Sequence, residues 1–159
     1  MTQSDVARGV ELGAIFQSGS RTISEGDFTQ LHNLTWTIGR LHVDKHYMAG
    51  TEFGERIMAG NLVMAVVEGL GEVIGLYDRI IPEQFGIDLV ALLTYEDVRF
   101  LSPLQPGNTI RASFEIIDAR ATSKPGRGII KIKNRGFKDG DQAIMEATQV
   151  FLFQRHLES

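Results

Sequence analysis

The chain has 159 residues, 43% of them hydrophobic, which suits one packed domain and is too apolar for a disordered chain. A formal net charge of -4 disfavours a nucleic-acid partner, whose binders carry a basic face. The absence of cysteine excludes disulfide frameworks, thiolate metal sites and cysteine nucleophiles together, and is compatible with a reducing compartment.

The opening stretch, MTQSDVARGVELGAIF, lacks the positive patch and long apolar run of a signal peptide. RTISEGDFTQLHNLT begins with a short extended run and then turns helical. Ser24 precedes an acidic first turn holding Glu25 and Asp27, and Phe28, Leu31 and Leu34 recur on one helical face. VDKHYMAGTEFGERIMAG is rich in turn signals and predicts a small helix around His46 to Ala49. Gly60 to Leu76 reads as the main helix, apolar nearly all round and therefore expected to be buried inside a sheet. Glu68, Glu72 and three glycines interrupt its apolar run, so a membrane span is not expected. The period then changes. Leu89 to Phe100 is a run of strand formers, and TIRASFEIID sets Ile110, Ala112, Phe114 and Ile116 against Arg111, Ser113 and Glu115. GRGIIKIKNRGF sets Ile130 and Ile132 against Lys131, Lys133 and Arg135, and QAIMEATQVFLFQR is apolar on both faces, as a central strand is. SPLQPGN, SKPGRG and KDGD supply the turns. The order predicts an α+β architecture, one antiparallel sheet curled around a buried helix, in a single domain over residues 1–159.

Four segments then point to a family. LTWTIGRLHVDKHYMAGTEFGERIMAGNL resembles the stretch L-T-G-D-x-N-P-L-H-x-D, Y-A-A-x-T-x-F-G-x-R-I-x-x-G-x-L of the MaoC-like dehydratases, the R-specific enoyl-CoA hydratases. Tyr47, Thr51, Phe53, Gly54, Arg56, Ile57, Gly60 and Leu62 fit it, and RTISEGDF resembles the family's R-T-I-T-E-x-D-F. YEDVRFLSPLQPGNTI and SKPGRGIIKIKNRGF look most like the mesaconyl-CoA (beta-methylmalyl-CoA) hydratase branch. The resemblance implies a hot-dog fold, an acyl-CoA substrate, and a homodimer or higher assembly of dimers; the composition adds the expectation of a cytoplasmic chain with no membrane or nucleic-acid partner. The motif's first half departs. Thr37 stands at the catalytic aspartate, Gly39 at the asparagine and Arg40 at the proline, so His42 alone remains of the catalytic pair.

Hydrating an enoyl thioester requires a base for water, a proton for the α-carbon and donors for the thioester oxygen. Histidine titrates near neutrality, so His42 is the candidate base; its ordinary alternative is a structural polar residue. Gly60 occupies the position of the family's oxyanion-hole glycine, where a helix N-terminal amide and its dipole face the ester; a plain helix-start glycine is the other reading. Thr37 is too weak an acid to serve as base but has a hydroxyl able to position water; a passive loop residue is its more ordinary reading. Arg40 is a candidate partner for a second carboxylate on the acyl group. Arg99, Lys124 and Arg127 are candidates for the phosphates of coenzyme A, against the default of solvated turn charges.

Glu68 is a carboxylate in the apolar helix and the residue on which a thioesterase reading rests. A third reading is a hot-dog protein that binds CoA esters without turnover. His42 and His46 have ligand spacing but no H-E-x-x-H pattern, so no metal site is expected. GLGEVIG has its third glycine one position late for a dinucleotide loop and no preceding strand, and reads as helix packing. No cofactor is expected; coenzyme A enters as part of the substrate.

Overall fold

A computed structural model describes residues 7–156. Two short strands come first, β1 (Ile15–Gln17) and β2 (Arg21–Thr22), of which the sequence pattern revealed only the second. Helix α1 (Glu25–Leu34) follows. Its start is fixed by a capping box: the Ser24 hydroxyl accepts from the Asp27 amide at 3.0 Å, and the Asp27 carboxylate accepts from the Ser24 amide at 3.0 Å. That hydrogen bonding holds the Asp27 carboxyl below the usual carboxylate range. The buried face of α1 differs from the expected one. Phe28 and His32, four apart, are buried, whereas Leu34 is 81% exposed.

Helices α2 (Arg40–Val43) and α3 (Lys45–Ala49) are short; α3 covers the predicted small helix, and α2 was not foreseen. Helix α4 (Gly60–Val73) is the central one. It stops before Leu76 because Gly75 adopts a left-handed φ of 70°. A π-helical turn (Leu76–Ile80) and α5 (Ile81–Phe85) lead into the sheet. Leu62, Val63, Val67 and Leu70 bury one side of α4, while Val73 is 74% exposed, so the helix is wrapped on one side and not all round.

The sheet is antiparallel, ordered β1-β4-β5-β6-β3, with β2 also paired to β4. Its long strands are β3 (Ile87–Phe100), β4 (Thr109–Ala121), β5 (Arg127–Lys138) and β6 (Gln142–Arg155). The alternation read from β4 and β5 holds: Ile110, Ala112, Phe114, Ile116, Ile130 and Ile132 are buried, and β6 is interior as expected. Cross-strand pairs such as Lys131–Glu96 at 2.7 Å and Arg135–Glu115 at 2.7 Å are made by side chains that alternate with the core positions. Helix and sheet approach closely at Gly136, where a Cβ would lie 2.6 Å from Val67 Cγ2. The architecture is α+β, a sheet curled around one long helix, the hot-dog arrangement. β3 lies at the edge of the sheet and carries exposed Val90, Leu93, Val98 and Phe100. No single helix among the described residues is long and apolar enough to cross a membrane.

Candidate active site

His42 lies in α2, a helix held by one backbone and one side-chain tie to the segment that leads into α4. The Ile57 amide donates to the Leu41 carbonyl at 3.1 Å, and the His42 Nδ1–H donates to the Ile57 carbonyl at 2.7 Å. A carbonyl only accepts, so the second bond fixes the tautomer: Nδ1 carries the proton and Nε2 is left with its lone pair. The ring is half-buried.

Ala59 caps α4 with no side-chain bond to the first turn. Its carbonyl accepts from the Leu62 and Val63 amides, and its own amide donates to His32 Nε2 at 3.2 Å. The Gly60 amide has no partner among the described residues, so the first unspent donor of α4, at the positive end of its dipole, is that of Gly60. A Cβ on Gly60 would meet Phe100 ring carbons at 2.7 Å, so glycine leaves room for that ring beside this amide.

His42 and Gly60 line one cleft of about 430 Å³, together with Phe53, Val63, Phe100 and Ser102 among others. His42 is the single titratable side chain in that lining among the described residues, and the Ser102 hydroxyl is spent on the Ala143 carbonyl at 2.6 Å. The cleft therefore pairs a histidine with a free lone pair and an unpartnered helix N-terminal amide, within mostly apolar walls. Such a site suits a neutral substrate that gains negative charge on an oxygen as a proton moves.

The other sequence candidates lie elsewhere. Thr37 is outside the cleft lining, and its Oγ1 is 3.0 Å from the Thr35 hydroxyl. Arg40 is exposed, donates to Asp44 at 3.3 Å and stacks over Tyr47 at 4.0 Å. Arg99 sits on β3 opposite Glu146, which in turn faces Arg135 on β5. Arg127 is eight residues further along β5, roughly 26 Å at about 3.3 Å per residue, and Lys124 lies in the adjoining turn. One chain thus brings neither Lys124 nor Arg127 to Arg99, and the three form no common phosphate site within it. Glu68 lines a separate recess with Glu72, Tyr77 and Leu92, and accepts a short hydrogen bond from the Tyr95 hydroxyl. Burial, reinforced by that carboxylate, pushes the Tyr95 phenol up to about 12. Glu96 is paired with Lys131. His46 is exposed, and the described residues hold no group of three or more His, Cys, Asp or Glu able to bind a metal ion.

Two residues were missed at the sequence level. His32, 1% exposed, stacks on His42 with ring centroids 5.0 Å apart and planes 22° apart. Its signal was its place four residues after Phe28 on a helix with few other apolar positions. Arg56 is 8% exposed and bonds Glu25 at 2.8 Å and Glu55 at 3.0 Å, fastening α1 to the segment below the cleft. Both carboxyls are held below their usual range, Glu25 chiefly by the Arg56 side chain and Glu55 chiefly by the Arg56 amide.

Residues 16–134 match the family described as MaoC like domain. A curated relative named mesaconyl-CoA hydratase, from Cereibacter sphaeroides, is 26% identical over 125 residues, covering 79% of this chain. The chain spans about a third of that relative's length, 34%. Among solved structures, a monoamine oxidase regulatory protein from Archaeoglobus aligns with a TM-score of 0.82 and 24% identity, covering 96% of this chain and 95% of that one. An (R)-hydratase from A. caviae involved in PHA biosynthesis aligns with a TM-score of 0.69 and 21% identity, covering 94% of this chain and 99% of that one.

Proposed function

The chain belongs to the MaoC-like domain family, and on that premise we propose that it is a hydratase/dehydratase, adding water to an enoyl-CoA thioester or removing it from the hydroxyacyl product. The observation that carries the proposal is the convergence of the His42 ring and the Gly60 amide on one cleft. In the hydration direction His42 Nε2 takes a proton from water as the water oxygen bonds to the β-carbon. The double-bond electrons move through the α-carbon to the thioester oxygen, which the Gly60 N–H holds. The enolate then collapses, and the α-carbon takes a proton returned by the imidazolium. Water is added whole, no carrier is needed, and coenzyme A is part of the substrate. Preorganised donors of this kind contribute about 3 kcal/mol each, and a positioned general base about 10²–10⁴-fold. Thr37 has no part in this scheme.

The apolar walls support a short, neutral acyl group, linear or branched. The relative's name brings the dicarboxylic mesaconyl ester into consideration, but Arg40, the residue suggested for a second carboxylate, is already engaged by Asp44 and Tyr47. A homodimer or an assembly of dimers belongs to the same proposal. The free side of β3 offers backbone groups and apolar side chains to a second copy, and Phe100 links that strand to the cleft. Arg99, Lys124 and Arg127 would then serve coenzyme A only if a partner copy brings them together. A cytoplasmic location completes the proposal, supported by a chain without cysteine.

The test is a turnover panel of crotonyl-, mesaconyl- and longer enoyl-CoA esters, read by loss of the conjugated double bond and a mass gain of one water. Hydration by wild type, with a loss of about 10²-fold or more in His42→Ala, is expected. Free thiol released without loss of the double bond would establish a thioesterase instead. Equal rates for wild type and His42→Ala would remove His42 from the mechanism.

A further inference from the structure

We propose that His32 is a positioning residue of the same site, locking the His42 ring and the first turn of α4 to one another; the inference rests on the hydratase reading above. Its two nitrogens are spent on partners that leave one solution. The Phe28 carbonyl, 2.7 Å from Nδ1, only accepts, so Nδ1 is protonated. The Ala59 amide, 3.2 Å from Nε2, only donates, so Nε2 carries the lone pair. His32 is thereby neutral, with its orientation fixed at both ends by backbone.

Each of those ends touches the chemistry indirectly. Ala59 immediately precedes Gly60, so the bond to Nε2 anchors the backbone that aims the Gly60 amide. It also removes the Ala59 amide as a competing donor. The face of the ring stacks on His42, which fixes the plane of the base whose Nδ1 is held by Ile57. The Phe28 ring packs against His32 with centroids 4.4 Å apart and planes tilted by 39°, and Arg56 lies over Phe28 at 5.4 Å. The column guanidinium–phenyl–imidazole–imidazole runs from Arg56, paired with Glu25 and Glu55, to the cleft. A protonated His32 would lose the Ala59 amide and face positive charge from Arg56, and from His42 whenever the latter holds the proton in transit. Burial and those two neighbours hold its pKa below the ordinary histidine value. A neutral ring beneath His42 also presents its π-face to the imidazolium formed during turnover. The ring adds no proton acceptor to the cleft, and it is absent from the lining.

The test compares His32→Leu, which removes both hydrogen bonds, with His32→Gln, whose side-chain carbonyl replaces the Nε2 acceptor. In folded protein, kcat for His32→Leu is expected to fall by about 10–100-fold with KM changed less than about 3-fold, because misplacement of about 1 Å costs that much in rate. His32→Gln is expected to recover most of the lost kcat. A purely structural histidine would lower melting temperature in both variants and leave kcat at the wild-type value, and that result overturns the proposal. A second measurement needs no variant: nitrogen NMR of wild type at neutral pH should show His32 as the neutral Nδ1–H tautomer, as its two backbone partners require. A protonated or Nε2–H form overturns the proposal even if His32→Leu does not fold. Absence of wild-type turnover across the ester panel would instead overturn the hydratase reading, while the tautomer still decides whether the clamp exists.

Discussion

Replacing Gly60 by alanine separates the catalytic role of its amide from a plain role in starting a helix. The new Cβ would sit 2.7 Å from Phe100 Cε2 and Cζ, whereas ordinary carbon contacts are about 3.5–4.0 Å, so the ring must retreat by roughly 1 Å. It can do so: the contact is with the far end of the ring, and Phe100 is 51% exposed. Alanine gains up to about 1 kcal/mol over glycine in a helix, and a displaced rotamer costs about 0.5–1.5 kcal/mol, so stability should change by no more than about 1 kcal/mol. Activity should not survive so well. A methyl beside the amide, and a phenyl ring pushed against the substrate's path, remove the donor from the thioester oxygen. Losing one such donor costs about 2.7–4 kcal/mol, or about 10²–10³-fold in kcat. Crotonyl-CoA hydration and a thermal melt on the same preparation measure both quantities. A folded Gly60→Ala enzyme with kcat within about 3-fold of wild type would refute the assignment of the oxyanion donor to this amide.

Three further outcomes follow from the same geometry. Glu68→Gln should keep hydration within about 3-fold of wild type and lower stability by about 1 kcal/mol, since Tyr95 then donates to a neutral acceptor; loss of turnover would bring the carboxylate back into the mechanism. Gly136→Ala should destabilise by about 1–3 kcal/mol in chemical denaturation, because its Cβ would meet Val67 and Ile144 methyl and methylene groups, at 2.6 and 3.0 Å, inside a filled core; an unchanged midpoint would contradict the packing described here. The lowered pKa of His32 means that the unfolded chain binds its proton more readily than the native one. Stability from this group is therefore complete above the unfolded value near 6.5 and is lost as pH falls from there through the lowered native value, by about 1.4 kcal/mol per pH unit at most. The decline between neutral and mildly acid pH should be smaller in His32→Gln, measured by denaturant midpoints at each pH.

The sheet was legible because its strands alternate. Ile110 to Ile116 and Ile130 with Ile132 declare a buried face by period alone, and the turns between them carry glycine and proline. β1 was missed because three residues set no period, and α2 because four residues set none either. The face of α1 was misjudged for a different reason. Leu34 looked like core, yet it is exposed and a histidine takes the buried position, because two backbone partners satisfy both of its ring nitrogens. Hydrophobic patterning has no means of reporting a polar side chain that is paid for by the backbone.

The site was legible in part. His42 and Gly60 are 18 residues apart in sequence (60 minus 42), and spacing alone does not place them together; the motif they share did. Their convergence depends on the Leu41–Ile57 and His42–Ile57 ties, which bend the intervening segment back on itself. Arg99 lies apart from Lys124 and Arg127 within one chain because strand length, not sequence distance, sets their separation. Thr37 stands at the motif's carboxylate position, and its hydroxyl turns to Thr35.

The most direct measurement is a crystal structure of the protein with butyryl-CoA, a saturated ester that keeps the thioester carbonyl and has no double bond to hydrate. The account predicts that this carbonyl oxygen lies about 3 Å from the Gly60 nitrogen, and that His42 Nε2 is within hydrogen-bond reach of a water facing the β-carbon. An acyl group seated beside Glu68, or a carbonyl bound with no contact to Gly60, would contradict it.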